Sequence, residues 1–330
     1  MTRLRWAPPT RADDTDWARL LAAIEEADRH GETYGQEEID DEWASVWAHP
    51  DTDALFGWDG PELVAFGWLQ TQVGQAKGHR IECWGGVHPG RRGEGIGRQV
   101  LAWQLARAQE VAAALDPGVE TSIRLTAMDH QADLLDLAGR FGFAPVRRFL
   151  EMARPTERPL DPAPPVEGLE LHAWDPTWDK AARAAHADSF RDHWGSEPRS
   201  AEEWRQWYTG HRGFRPDLSA VAVDGTGEVA AFVLCAAYPL DWEAGAAPVE
   251  AWITTVGTRR SWRGRGAARW VLSHVLDEVA ASDTGFERSI LGVDADNPTG
   301  ARCLYASLGF EPVRTVLTLG WSPSQDELPA

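Results

Sequence analysis

The sequence predicts an α+β protein built from two tandem copies of one domain, each a central mixed, mostly antiparallel sheet flanked by helices. Three observations predict it. A chain of 330 residues suggests about two domains. A glycine-rich motif occurs twice, as Arg92-Gly93-Glu94-Gly95-Ile96-Gly97 and, 171 residues later, as Arg263-Gly264-Arg265-Gly266-Ala267-Ala268. Pro155, Pro159, Pro162, Pro164 and Pro165 crowd the midpoint, a density that suits an extended connector rather than helix or sheet. The expected division is a first domain over 1–154, a linker over 155–168 and a second domain over 169–330.

The halves align along their length. Residues 4–8 (LRWAP) resemble 172–176 (HAWDP), and 129–143 match 296–310 without a gap. A period this long marks a duplicated domain, not a solenoid. Each half opens on a short strand. One or two helices follow, expected over 14–29 in the first half and over 176–190 and 201–208 in the second. A hairpin comes next, 54–58 with 63–73 and 220–223 with 229–237, turned by Asp59-Gly60 and Asp224-Gly225. The apolar run 229–240 reads as a buried strand, because a bilayer span takes about 20 residues. Then come a strand (80–87; 249–258), the glycine turn and a long helix (97–115; 267–281). Val271, Leu272, Val275, Leu276 and Val279 fall on one face of the second such helix. A strand, a shorter helix and a last strand close the unit.

Composition narrows the function. The chain is 43% hydrophobic and 25% charged, with a net charge of −19. Phosphate backbones need clustered cations, so nucleic acid is not expected as a partner. Cys83, Cys235 and Cys303 are odd in number and show no metal-ligand spacing, which fits a reducing compartment and no metal. The first residues are polar and lack a leader's apolar stretch. The expectation is a cytoplasmic monomer or homodimer without a membrane anchor.

Each glycine motif follows a strand and opens a helix. The first turn of a helix has unpaired N–H groups and the positive end of the dipole. Glycines let an anion approach that backbone closely, and Arg adds a fixed charge. The motif is neither the nucleoside-triphosphate loop, since no Gly-Lys-Ser/Thr follows, nor the dinucleotide fingerprint, whose glycine spacing differs. One copy alone is an ordinary Gly-rich loop; two copies, both placed between strand and helix, point to a diphosphate.

These residues resemble the GNAT acyltransferase superfamily, whose signature is [Gln/Arg]-x-x-Gly-x-[Gly/Ala] at a helix start. A second segment resembles that family's Asn-x-x-Ala-x-x-Leu-Tyr-x-x-Leu-Gly-Phe, matched by Asn297, Ala301, Leu304, Tyr305, Leu308, Gly309 and Phe310. The resemblance covers each half once, and the tandem arrangement is similar to mycothiol-synthase-type GNAT proteins. It implies acetyl-CoA as acyl donor and a small-molecule primary amine as acceptor. The diphosphate would sit on Arg263, Gly264, Arg265, Gly266, Ala267 and Ala268. The pantetheine arm would pair with the strand edge at Val256 to Thr258, and Asn297 would contact the cofactor. The first-half equivalents are Val87, Arg92, Gly93, Gly95, Ile96, Gly97 and Arg98.

Acetyl transfer to an amine requires a base for the ammonium and an acid for the departing sulfur. Tyr305 stands where the family's acid stands, with a packing tyrosine as the alternative; its first-half counterpart is Ala138. The family's usual base position holds Trp252. Glu250, two residues earlier on the same strand face, is the replacement, working directly or through a water, with an ordinary surface carboxylate as the alternative. Asp192, His193 and Trp194, in the loop after the first helix of the second half, are expected to close over the acceptor, with Glu197 and the walls Trp204, Trp207 and Trp252; the alternatives are a solvated or capping His193 and tryptophans that mostly fill the core. The second half then catalyses and the first half keeps a cradle without an acid or base. A non-catalytic acyl-CoA-binding regulator is the alternative.

Overall fold

A computed structural model describes residues 4–31, 34–73, 78–194, 196, 198–238, 249–297 and 300–322. The chain divides into two compact units, Met1–Arg148 with Val316–Ala330, and Phe149–Thr315. Each has a mixed sheet covered by helices on both faces.

In the first unit the strands are β1 (Arg5–Ala7), β2 (Ala54–Asp59), β3 (Glu62–Gln72), β4 (His79–Val87) and β5 (Thr121–Met128). They pair in that order, and residues 316–320 of β12 (Glu311–Trp321) pair with β5. All pairs are antiparallel except β4 with β5. One face carries α1 (Asp14–Asp28) and α2 (Gln36–Ala44), and α3 (Pro50–Asp53) is a single turn before β2. Trp17 of α1 buries against Phe56, Phe66 and Trp68. The other face carries α4 (Ile96–Ala114) and α5 (Ala132–Arg140).

The second unit repeats this plan. Its strands are β7 (Leu169–Ala173), β8 (Ala220–Asp224), β9 (Val229–Ala236), β10 (Glu250–Thr258) and β11 (Arg288–Asp294), and residues 149–155 of β6 (Phe143–Pro155) pair with β11. Only β10 and β11 run parallel. β9 is buried at all eight positions, because both of its faces are covered. α6 (Asp179–Ser189) and α7 (Ala201–Trp204) lie on one face, and α8 (Ala267–Ala281) and α9 (Ala301–Ser307) on the other.

The expected boundaries at 154 and 169 need correction. Residues 149–155 belong to the second unit and 316–320 to the first. A strand's place is set by the ladder it completes, and local sequence carries no record of a distant partner. No helix or strand occupies 156–168. The second hairpin turns on Gly227 at φ 84°, with Gly227 N–H bonded to the Asp224 carbonyl, rather than on the Asp224-Gly225 pair. α2 was missed because Glu and Asp fill it and leave Ile39 as its single buried residue. The run read as a strand to residue 240 ends at Ala236; residues 239 and 240 lie outside the described residues, as does Glu197.

Candidate active site

A slot opens between the C-terminal ends of β10 and β11. The two strands pair only from Glu250 with Arg288 to Ile253 with Leu291. On its other side β10 stays paired with β9 out to Thr258, with a register shift between Ile253 and Thr255. The extra residue, Thr254, donates its hydroxyl to the Leu234 carbonyl at 3.0 Å. A bulge sharpens local twist and bends its strand, and here it lies where β10 parts from β11. The β10 edge over 254–258 therefore has no ladder partner on the β11 side.

The glycine turn stands at the mouth of this slot. A 3-10 turn (Arg260–Trp262) leads through Gly264 and Gly266, at φ 73° and 86°, into α8. Both glycines take the left-handed conformation that disfavours any side chain. A Cβ on either meets nothing within 4 Å. Residues 264–266 are exposed, and the N–H groups of 264–268 have no hydrogen-bond partner among the described residues. Arg265 lies over the Trp262 ring at 4.8 Å, with no carboxylate beside it among the described residues. Open donors, a helix start and an unneutralised guanidinium are chemically suited to an anion.

The first Arg of the motif does something else. Arg263 Nη2 donates to the Ser189 carbonyl, the end of α6, at 2.6 Å, and Nη1 lies 3.6 Å from Asp192. Arg92 does the same in the first unit. It grips both Asp28 oxygens, the end of α1, at 2.6 and 2.8 Å, and its Nε donates to the Val87 carbonyl. In both copies this Arg ties the first helix to the turn.

The model of the acetyltransferase (GNAT) family matches residues 180–310. A mycothiol acetyltransferase of Thermobispora bispora is 30% identical over 263 residues, 78% of this chain and 79% of that protein. The chain belongs to the GNAT acetyltransferase family. It is an acyl-CoA-dependent acetyltransferase of the tandem kind. Among solved structures, a GCN5-related N-acetyltransferase from Sphaerobacter thermophilus superposes with a TM-score of 0.74 at 25% identity, covering 100% of this chain and 99% of that one. A tandem GNAT protein from the clavulanic acid biosynthesis pathway shares the fold, with a TM-score of 0.71 at 17% identity over 98% of this chain and 100% of that one.

Within this GNAT unit the expected residues are spread over several elements. Val256 and Thr258 lie on the open β10 edge, and Asn297 follows β11, its N–H bonded to the Asp294 carbonyl at 3.1 Å. Tyr305, on α9, is 7% exposed and packs edge-on to Phe310. Burial pushes its hydroxyl up to about 12, so it keeps its proton at neutral pH. Glu250 is buried at the opposite end of β10, its Oε1 bonded to Arg288 Nε at 2.5 Å. Asp192 faces Arg260 and Arg263 beside the turn. His193 Nδ1 lies 3.1 Å from the Trp194 carbonyl oxygen, Trp194 packs on Phe149, and Trp252 on Tyr238. Trp204, expected near the acceptor, is fully buried, its indole N–H bonded to Asp179, and belongs to the core.

The first GNAT unit keeps the turn but differs at the slot. Gly93 and Gly95 repeat the left-handed angles, at 77° and 81°. The place of Arg265 holds Glu94, paired with Arg91 at 3.1 Å. β4 pairs with β3 without a register shift, so the bulge is missing. Gln104 of α4 donates its amide to the Trp84 carbonyl at 2.7 Å, just past the last β4–β5 pair. After β5, His130 Nε2 lies 3.0 Å from the Asp28 carbonyl oxygen and Gln131 Nε2 lies 2.8 Å from His30 Nε2. Val87, Arg92, Asp28 and His130 thus link the end of β4 to the end of β5. Neither Gln104 nor His130 belongs to the glycine motif, so sequence reasoning passed over both.

Proposed function

We propose that the protein moves an acetyl group from acetyl-CoA to a primary amine of a small molecule, by direct attack in a ternary complex, with the chemistry in the second unit. The observation that carries this is the coincidence, in one unit, of an unpaired strand edge and an exposed donor turn. The edge over 254–258 suits the amide-rich pantetheine arm, and one of its N–H groups can polarise the thioester carbonyl. The donors of 264–268, with Arg265, suit the diphosphate. Arg263 contributes by fixing the turn against α6 rather than as the first ligand. Tyr305 supplies the proton that the leaving sulfur needs.

The first unit plays a supporting part in this reading. Glu94 places a negative charge where the diphosphate would lie, and the Asp28–His130 and Gln131–His30 contacts span the slot. One acetyl-CoA per chain follows.

A thiol-release assay tests the function. Acetyl-CoA is supplied with an amine panel that includes the acceptor of the mycothiol acetyltransferases. Amine-dependent release, with acetylated product confirmed by mass, is expected. Release that ignores every amine rejects the reading.

A further inference from the structure

Glu250 lies four residues before Thr254. At ~3.3 Å per residue it sits about 13 Å from the mouth of the slot, and its Oε1 is bonded to Arg288. Another carboxylate on the same sheet face stands level with the mouth. Glu151 of β6 pairs in register with Gly292, the first residue of β11 beyond the last β10–β11 pair. Side chains alternate along strands, so Glu151, Gly292, Ile290, Trp252 and Glu250 share one face. Met152, Leu291 and Ile253 point into the opposite core under α8.

The surroundings of Glu151 are built for a polar guest. Gly292 is exposed, and a Cβ there meets nothing within 4 Å, so open space adjoins the carboxylate. Phe149, two residues along the same face, packs on Trp194 at 6.3 Å. Arg314 Nε donates to Glu151 Oε2 at 2.6 Å, and Oε1 has no partner among the described residues. Both side chains are sheltered, at 17% and 14% exposure. Arg314, Glu250 and Arg288 are the charged groups that act on it. Burial outweighs the two cations and raises its pKa, which moves a carboxylate towards the working range of a base.

Resting on the acetyl-transfer reading above, we propose that Glu151, held by Arg314, is the general base that deprotonates the acceptor's ammonium. One ammonium proton passes to Glu151 Oε1. The freed nitrogen pair bonds to the thioester carbon, and the carbon–sulfur bond breaks. Tyr305 protonates the leaving sulfur and recovers its proton from the acylated nitrogen. The products are the amide, the CoA thiol and a protonated Glu151, which loses its proton to water. Glu250, with Arg288, is then a positioning pair on the same face.

The test is kcat/KM for the acceptor against pH in the wild type, Glu151→Gln, Glu151→Asp, Arg314→Gln and Glu250→Gln. Melting temperature and acetyl-CoA affinity are measured beside it. Glu151→Gln is expected to lose about 10²- to 10⁴-fold in kcat/KM and the acidic limb of the profile, with acetyl-CoA affinity unchanged. Glu151→Asp keeps the limb. Arg314→Gln moves the limb to higher pH, a readout that holds even if Glu151→Gln fails to fold. Glu250→Gln keeps the limb and moves it to lower pH, because the Glu250 charge raises Glu151. An unchanged limb in both Glu151→Gln and Arg314→Gln, or its loss in Glu250→Gln alone, overturns the assignment but not the acetyl transfer. A wild type that transfers acetyl to no amine overturns both.

Discussion

Gln104 donates its side-chain amide to the carbonyl of Trp84 at 2.7 Å, where β4 parts from β5. The same amide lies 3.4 Å from the Trp68 carbonyl, so Gln104 sits over the β3–β4 seam. Replacing Gln104 by Leu removes the donor and leaves that carbonyl without it. The expected cost is about 1 kcal/mol of stability in denaturant titration. Acetyl transfer should not change, since the proposed reading puts the chemistry in the other unit.

Tyr305, the proposed acid, carries its proton at neutral pH, and burial pushes the hydroxyl further up, to about 12. Tyr305→Phe keeps the ring against Phe310 and removes only the proton. A fall in kcat of about 10²- to 10⁴-fold is expected, with acetyl-CoA affinity unchanged by calorimetry. Because the hydroxyl titrates at about 12, wild-type kcat should show no basic limb from this group below about pH 11.

In the proposed reading the two arginines of the second turn have separate tasks. Arg265 has no carboxylate beside it among the described residues, whereas Arg263 is bonded to the end of α6. Arg265→Ala should weaken acetyl-CoA binding about 10- to 100-fold, as expected for losing a charge-assisted bond of about 1.5–3 kcal/mol. Arg263→Ala should mainly lower the melting temperature. Calorimetry and thermal melts of both variants separate the two effects.

His186 couples stability to acid. Burial first, then the charges of Arg199 and His193, holds it down at about 3, and it stacks on Phe190 at 4.4 Å. Unfolded, it titrates near 6.5. The unfolded chain therefore binds the extra proton between those values, and its stabilising contribution, full above pH 6.5, is lost as pH falls towards 3. The slope reaches at most about 1.4 kcal/mol per pH unit from this residue. His186→Phe should flatten the acid side of the stability curve, measured by urea unfolding at several pH values.

What the sequence disclosed follows from the range of the interactions involved. The glycine turn is local chemistry, and Gly264 and Gly266 took the conformation their residue type implies. The α8 core face was legible from helical spacing, and Val271, Leu272, Val275, Leu276 and Val279 are all buried. The exchange of β6 and β12 between halves was not legible, because pairing partners more than 130 residues apart leave no local trace. Glu151 was hidden for the same reason: it stands in the first half of the sequence and completes the sheet of the second unit. Arg263 was read as a diphosphate ligand from its type, whereas its contacts with Ser189 and Asp192 depend on how α6 packs.

Titrating acetyl-CoA into the whole chain by calorimetry tests the central claim most directly. The account predicts one site per chain, lost when Gly266 is replaced by Val and kept when Gly95 is. Two equal sites, no binding at millimolar nucleotide, or a loss that follows Gly95→Val instead would contradict it.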